Sequence, residues 1–209
     1  MLSVLLTKKL NNTEIGRGGT HETYIYIPQN LDVSDLFDEL NKKISFYCPQ
    51  NKKYYEFRLT QGREKRIVGL GPIYSDFDVY AGDEICLERR CATTNEFIVH
   101  IRTNANVIVL QRRKQGFEVL NEDRLQLLTE SSFLLEGDKR KSFSLSFKEA
   151  VKKRADSRDE TNIFDILVNG ELATANYVKM DLIELSVVGD RVEIKSFYGW
   201  KKTQMGEEI

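Results

Sequence analysis

The chain has 209 residues, of which 41% are hydrophobic and 30% charged, and its formal net charge is −1. This composition is that of an ordinary globular protein with one large or two small domains, which excludes a disordered chain. A net charge so close to zero also argues against a protein that coats nucleic acid without sequence preference.

Neither secretion nor membrane insertion is expected from the sequence. No apolar run reaches about 18 residues, and the start of the chain lacks a signal-peptide cleavage site. The cysteines are odd in number and form no metal-binding pattern with a histidine: Cys48, Cys86 and Cys91. They indicate reduced thiols in a cytoplasmic protein, and no metal or other cofactor is expected.

The first predicted elements are a strand over residues 3–8 and a strand over residues 23–27, with a glycine-rich arm between them. Glycine lacks a Cβ atom, so such an arm can bring its backbone close to a ligand. The arm and its approach carry glycines and hydrogen-bond donors: Lys8, Lys9, Gly16, Arg17, Gly18, Gly19 and His21. This combination is typical of a loop that enters a nucleic-acid groove.

A helix is predicted over residues 32–44, since Asp32 is a suitable N-cap. The apolar residues that follow have helical spacing: Val33, Leu36, Phe37, Leu40 and Ile44. Short β-rich runs come next, over residues 44–48, 53–59, 66–70, 84–89, 96–102 and 107–112. Several short strands and one early helix predict a small closed β-structure over residues 1–120.

Basic residues are concentrated between residues 51 and 67. Glu56 and Glu64 are the acids of this segment, against six cations: Lys52, Lys53, Arg58, Arg63, Lys65 and Arg66. A near-neutral protein with one basic stripe fits a specific nucleic-acid binder better than a general one. The alternative is a solvated strand face.

After residue 120 the pattern changes to a mixture of helices and strands. Asn121 is a candidate cap for a short helix that bears Leu125, Leu127 and Leu128. A capping box at residues 146–149 opens a second helix. Three strands follow, over residues 163–168, 177–188 and 191–197, with turns at Asn169-Gly170 and Gly189-Asp190. These elements predict an α+β extension over residues 121–209.

The first arm resembles the first recognition arm of the B3-like DNA-recognition (effector) domains of restriction endonucleases, as in the EcoRII N-terminal domain. The arm of that family reads roughly N-D-T-G-x-T-G-G-H-Q, and a strand that ends in Y-I-P follows it. Residues 13–22 here read TEIGRGGTHE, and the next strand ends in Tyr26-Ile27-Pro28. The spacing from Leu10 to Pro28 is kept without a gap. The N-D-T triplet is replaced, so the resemblance does not give the bases that are read.

A second motif of that family, N-E-K-R-I, is matched at a similar distance downstream by Arg63-Glu64-Lys65-Arg66-Ile67. The resemblance implies a B3-like seven-stranded pseudobarrel, mainly β with a few helices, in which two loop arms grip double-stranded DNA in the major groove. It also implies a monomer that reads a short asymmetric site.

The implied DNA interface consists of the two arms. The first arm contributes Lys8, Lys9, Thr13, Glu14, Gly16, Arg17, Gly18, Gly19, Thr20, His21, Glu22 and Tyr26, and the second Gln61, Arg63, Glu64, Lys65 and Arg66. Arginines of the second arm are candidates for guanine or phosphate contacts. The cations Lys8, Lys9 and Arg17 are expected to neutralise phosphates.

One pattern points to catalysis within this chain. Asp181, followed by Glu193-Ile194-Lys195, resembles the metal-binding set of magnesium-dependent restriction nucleases. The alternation of Val192 and Ile194 with charged residues favours an ordinary solvated strand instead. A compact nuclease therefore remains the alternative function, and a protein-interaction β domain is a third.

The preferred interpretation is a non-catalytic recognition domain, with a catalytic or motor domain downstream or in a partner subunit. By analogy of fold alone, the chain is expected to be the N-terminal domain of a McrB-type, LlaJI-like restriction subunit, in which a GTPase follows.

Overall fold

A computed structural model describes residues 3–17, 23–90, 96–122, 132–136, 139–152, 160–188, 191–197 and 199–205. Within these residues the chain is mainly β, as expected, with two short helices, α1 (Gly71–Asp76) and α2 (Thr174–Tyr177). Neither helix is long and apolar enough to cross a membrane. The thiols of Cys48 and Cys86 are buried and free, and Cys91 lies outside the described residues.

The strands are, in chain order, β1 Ser3–Lys9, β2 Tyr24–Ile27, β3 Lys43–Cys48, β4 Lys53–Gln61, β5 Lys65–Val68, β6 Glu84–Arg90, β7 Glu96–Arg102, β8 Val107–Arg112, β9 Phe117–Val119, β10 Ser132–Glu136, β11 Lys139–Lys152, β12 Glu160–Val168, β13 Glu171–Leu172, β14 Leu182–Val188, β15 Arg191–Ser196 and β16 Trp200–Met205. They divide between two compact units, one of Met1–Thr103 with Tyr198–Ile209 and the other of Asn104–Phe197.

The first unit is a curled sheet with the strand order β16-β1-β6-β7-β3-β4-β5-β2. Its two edge strands meet, because the Trp200 indole Nε1 donates a hydrogen bond to the Tyr26 carbonyl at 3.0 Å. The resemblance implied seven strands; the first half of the chain contributes seven, and β16 adds an eighth.

Alternation of apolar and polar residues positions the core of the first unit. On β4, Tyr55, Phe57 and Leu59 point inward while their neighbours are exposed or half-buried. Fully buried Phe46 of β3 packs against Phe57 with a centroid distance of 5.1 Å. Each such buried side chain contributes roughly 1.5–3 kcal/mol through the hydrophobic effect, so the curled sheet is a rigid support for its loops.

The helix predicted over residues 32–44 is wrong. The segment makes a single turn, in which the Phe37 amide donates to the Val33 carbonyl at 2.9 Å, and Leu40 is 50% exposed. The turn cannot continue as a helix because Asn41 has a φ of 60° and donates its amide to the Leu59 carbonyl of β4. Pairing with the sheet therefore overrides the helical spacing.

Gly69, between β5 and α1, is required by its surroundings. It has a φ of 95°, and a Cβ atom there would lie 2.4 Å from the Glu56 carbonyl oxygen. Gly69→Ala should lower the free energy of unfolding by about 2–3 kcal/mol. Gly170→Ala is the control, since Gly170 has a φ of 77° with open space around it, and about 1 kcal/mol is expected there. Equal losses in urea denaturation would contradict this account.

The second unit closes on itself. Its strand order is β11-β10-β15-β14-β8-β9-β12-β13, and β11 also pairs with β12, so the pairings return to their start. Its core lies inside this ring and includes Phe117, Phe143, Ile166, Ile183 and Leu185. Within the described residues the unit is thus a ring of paired strands with one short helix, α2, where an α+β extension was expected.

The capping box at residues 146–149 does not open a helix. These residues lie in β11, which pairs with β12 along most of its length and has a bulge between Phe147 and Glu149. Non-local strand pairing overrides the local capping signal. The turn at Asn169-Gly170 is confirmed, with φ of 54° and 77°. The strand expected over residues 177–188 begins only at Leu182.

Two further expectations from this half lie outside the described residues: the helix that bears Leu125, Leu127 and Leu128, and the Gly189-Asp190 turn. Asn121, expected to cap a helix, is nearly fully buried and holds β8 instead. Its side chain accepts a hydrogen bond from the Val109 amide at 2.9 Å and donates one to the Val107 carbonyl at 2.8 Å.

The division into units differs from the expected boundary at residue 120. Strands β8 and β9 belong to the second unit, and β16 returns to pair with β1 from Ser3↔Met205 to Lys8↔Trp200. The second unit is therefore an insertion in the chain of the first.

Candidate nucleic-acid interface

The described root of the first arm, residues 11–17, is a compact turn. The Arg17 amide donates to the Asn12 carbonyl at 2.8 Å, and the Ile15 amide donates to the Asn11 carbonyl at 3.2 Å. Ile15 is buried, whereas Thr13 is exposed. Gly16 has a φ of 79°, a conformation that favours glycine. The rest of the predicted arm lies outside the described residues: Gly18, Gly19, Thr20, His21 and Glu22.

Lys8 and Glu14 were expected at the DNA surface, but the structure buries both. Their side chains are 6% and 7% exposed, and the Lys8 ammonium lies 2.9 Å from the Glu14 carboxylate. Glu14 also accepts a hydrogen bond from the Asn11 amide at 3.1 Å. The structure therefore does not support a phosphate contact by Lys8 or a base contact by Glu14, because the pair lies inside the root of the arm.

Burial has the largest effect on the pKa of both groups of this pair. It raises the pKa of Glu14, and the nearby Lys8 only partly offsets that rise. It lowers the pKa of Lys8, again against the opposing effect of Glu14. Lys9, also expected to neutralise phosphate, is buried too, with its ammonium 3.9 Å from the Glu84 carboxylate. Of the three cations proposed for phosphate, only Arg17 lies at the surface.

Arg17 is held at the edge of the first arm by two partners. Its guanidinium lies 4.2 Å from the centre of the Tyr80 ring, and its Nη2 is 3.5 Å from the Asp78 carboxylate. The Tyr80 hydroxyl donates to that carboxylate at 3.1 Å. Sequence reasoning missed Tyr80 and Asp78, since no local pattern connects them with an arginine some 60 residues earlier.

The second arm is the tip of the β4–β5 hairpin. Gln61 pairs with Lys65 at the base of the tip, and the Gly62 amide donates to the Glu64 carbonyl at 3.1 Å. Arg63 is exposed at the tip and has no hydrogen-bond or ion-pair partner among the residues that the structure describes. The predicted strand–arm–strand organisation of this segment is confirmed.

Arg66 lies on the outer face of the β2–β5 pair. Its Nε and Nη2 donate to the Glu64 carboxylate at 3.1 and 2.8 Å. Its guanidinium lies 4.0 Å from the centre of the Tyr24 ring. The strand partner of Arg66 is Tyr26, which is 40% exposed. Tyr24 was not predicted as a site residue, although it comes directly after the first arm.

The two arms begin at opposite ends of the β2–β5 pair. The first arm leads into Tyr24, which pairs with Val68, while Ile27 at the other end of β2 pairs with Lys65 beside the second arm. Three residue steps separate Tyr24 from Ile27, which is about 10 Å along the strand. Tyr24, Tyr26 and Arg66 lie between the arm roots.

The alternative catalytic set does not converge. Glu193 pairs across the hairpin with Ser186, five residues beyond Asp181, so the two acids are about 17 Å apart along the strand. Asp181 is ion-paired with Arg112 at 3.0 Å, and Glu193 with Lys195 at 2.5 Å on the exposed side of β15. No group of three possible metal ligands occurs in the described part of the chain.

No model of a known protein family matches the chain, and no curated protein matches it. Several solved structures are similar to part of it, among them the following two. One is the Arabidopsis FUS3–DNA complex, with a TM-score of 0.35 and 12% identity over 46% of this chain and 94% of that chain. The other is the N-terminal domain of Helicobacter pylori LlaJI.R1, with a TM-score of 0.35 and 11% identity over 48% of this chain and 81% of that chain.

Proposed function

We propose that the first unit is a sequence-specific double-stranded DNA-binding domain that reads a short site in the major groove with its two arms. The observation that carries this proposal is the placement of the arm roots at opposite ends of the β2–β5 pair. Their separation of about 10 Å along β2 is close to the width of the major groove, about 12 Å. Two arms at this spacing can enter one groove from its two sides.

The side chains near the arms have the chemistry that base reading needs. Arg63 is exposed at the tip of the second arm, and Arg66 lies on the face between the arms. An arginine reaches O6 and N7 of guanine with two parallel hydrogen bonds. Arg17, at the surface of the first arm, is suited to a phosphate, which fixes the register of the protein on the duplex.

The charge distribution also supports a specific binder. The formal net charge is −1, so long-range attraction to any duplex is weak, and affinity has to come from local contacts. Several cations of the basic segment are already paired with acids. Lys53 lies 2.8 Å from Asp76, and Arg66 lies 2.8 Å from Glu64. Such pairing lowers affinity for arbitrary phosphates more than for a matching site.

The resemblance of both arms to those of restriction endonucleases supports a role for this activity in a restriction-modification system. In this proposal the domain works in the cytoplasm as a monomer and delivers a separate catalytic or motor domain to its site. A LlaJI-like, McrB-type subunit is the arrangement that we favour, by analogy of fold.

Selection of bound duplexes from a random library, with and without base methylation, tests the proposal directly. A short enriched motif is the expected result, and comparison of the two libraries gives the methylation preference. Recovery of random sequences only, or absence of binding to any duplex, would contradict the proposed function and favour a protein-interaction domain.

Arg63→Ala should weaken binding to the selected duplex by about 1–3 kcal/mol if Arg63 reads a guanine. The loss should fall to a few tenths of a kcal/mol on a duplex in which that guanine is replaced, because the contact is already missing. Arg191→Ala is the matched control, since Arg191 is an exposed strand arginine of the second unit. Fluorescence anisotropy titration measures the affinities of the unaltered chain and both variants for both duplexes. An equal loss of affinity on both duplexes would show that Arg63 does not read a base.

A further inference from the structure

Both arms carry an arginine that is held in the same manner. Arg66 stacks on Tyr24 and is bonded to Glu64, and Arg17 stacks on Tyr80 and is bonded to Asp78. Tyr24 belongs to β2 and Glu64 to the tip of the β4–β5 hairpin, whereas Asp78 and Tyr80 belong to the segment after α1. The arrangement therefore arises twice from unrelated parts of the fold.

The geometry at Arg66 is that of an oriented guanidinium. The Tyr24 ring covers one face of the guanidinium at 4.0 Å, which fixes its plane. One Glu64 oxygen accepts from both Nε and Nη2, at 3.1 and 2.8 Å, which fixes its rotation within that plane. A bidentate contact with guanine needs one complete N–H edge of the guanidinium. Since Glu64 binds the Nε edge, a bidentate contact with guanine has to use the terminal edge.

Orientation before binding has a measurable consequence. A long side chain that becomes ordered at an interface loses rotamer entropy, which corresponds to roughly a twofold to tenfold loss of affinity. A guanidinium that is already stacked and bonded has lost most of that freedom in the unbound protein. The benefit is confined to sites with a guanine in the right place, because an ill-placed base cannot meet a fixed edge.

We infer that Tyr24 and Glu64 are positioning residues that orient Arg66 for a guanine and so set the sequence preference at that base. The inference rests on the proposed DNA-binding function. It goes beyond that function in assigning a specificity role to Tyr24, and in assigning Glu64 a role through Arg66 instead of a direct DNA contact.

The test compares the selected duplex with duplexes in which each guanine of the site is replaced in turn. Arg66→Ala identifies the guanine that Arg66 contacts, because replacing that guanine no longer changes the affinity of this variant. Tyr24→Leu and Glu64→Ala should each lower discrimination at that same guanine by about threefold to tenfold, with affinity for a scrambled duplex nearly unchanged. Tyr24→Phe keeps the ring face and should retain the discrimination of the unaltered chain.

Two controls separate positioning from a structural role. Tyr54→Leu removes another outward strand tyrosine, which is 70% exposed and stacked on Tyr47, and it should leave discrimination unchanged. In the Arg66→Ala background, Tyr24→Leu should have no further effect, since its influence passes through the arginine.

Three outcomes would overturn the inference: unchanged discrimination in both Tyr24→Leu and Glu64→Ala, equal loss of affinity on every duplex, or a Tyr24→Leu effect that persists without Arg66. If the unaltered chain enriches no motif, the proposed function itself fails. If it enriches a motif that depends on Arg63 but not on Tyr24 or Glu64, only the positioning role fails.

Discussion

Removal of residues 199–209 is expected to destabilise the first unit by at least about 3 kcal/mol. Strand β16 covers the outer edge of β1 along six paired positions, and its loss leaves that edge without partners. The deletion also removes Trp200, which packs against the core and donates to the Tyr26 carbonyl. Lys202, bonded to Asp35 at 2.7 Å, is lost as well. A chain that stops at residue 120 should be destabilised for the same reason.

The opposite deletion should be tolerated by the first unit. Arg102 at the end of β7 and Trp200 at the start of β16 lie at the same end of the sheet, since Arg102 pairs with Glu84, Glu84 with Lys9, and Lys8 with Trp200. Three strand spacings separate them, about 14 Å. A Gly/Ser linker of about eight residues spans this distance, since an extended chain covers about 3.3 Å per residue.

The two shortened chains make a direct comparison. The chain with residues 104–198 replaced by the linker should unfold cooperatively in urea and bind the selected duplex as the unaltered chain does. The chain of residues 1–120 should unfold at much lower urea concentration or not fold at all. Equal stability of the two would show that β16 is dispensable, which contradicts the structural assignment.

The strands were predictable because each buries one face, which leaves an alternating pattern in the sequence. The runs at residues 53–59, 84–89 and 96–102 all became strands within a residue or two of their expected ends. The helix expected from Asp32 and the capping box at Ser146 failed because these signals act within four residues. At both places pairing with a distant strand decides the conformation.

No local sequence pattern indicates that the first unit is formed by two separate segments of the chain. The β1–β16 pair joins residues about 200 positions apart, and nothing near Trp200 distinguishes its strand from those of the second unit. The candidate site likewise has a part that the sequence predicts and a part that it does not. The β4–β5 arm was predictable as a hairpin, but the burial of Lys8 and the pairing of Arg17 with Asp78 depend on packing between separate elements.

Lys8→Met should lower the free energy of unfolding by about 3 kcal/mol, because it leaves the Glu14 carboxylate buried without its cation. The salt dependence of DNA binding should stay the same, since Lys8 does not reach the surface. Lys8→Met combined with Glu14→Gln should recover most of the loss. The glutamine is neutral and still accepts the hydrogen bond of the Asn11 amide.

The pH dependence of this loss identifies its cause. Because burial raises the pKa of Glu14, the contribution of this group to stability is full at low pH and is lost as the pH rises through the raised pKa. Lys8→Met removes the cation that opposes the rise, so the pKa of Glu14 should increase further in the variant. Its destabilisation should therefore be largest near neutral pH and should shrink in mildly acidic buffer, where Glu14 becomes protonated. Urea denaturation of the single and double variants across this range measures both effects. A loss that is independent of pH would indicate a packing defect. A weaker salt dependence of DNA binding in the Lys8→Met variant would show that Lys8 does contact DNA.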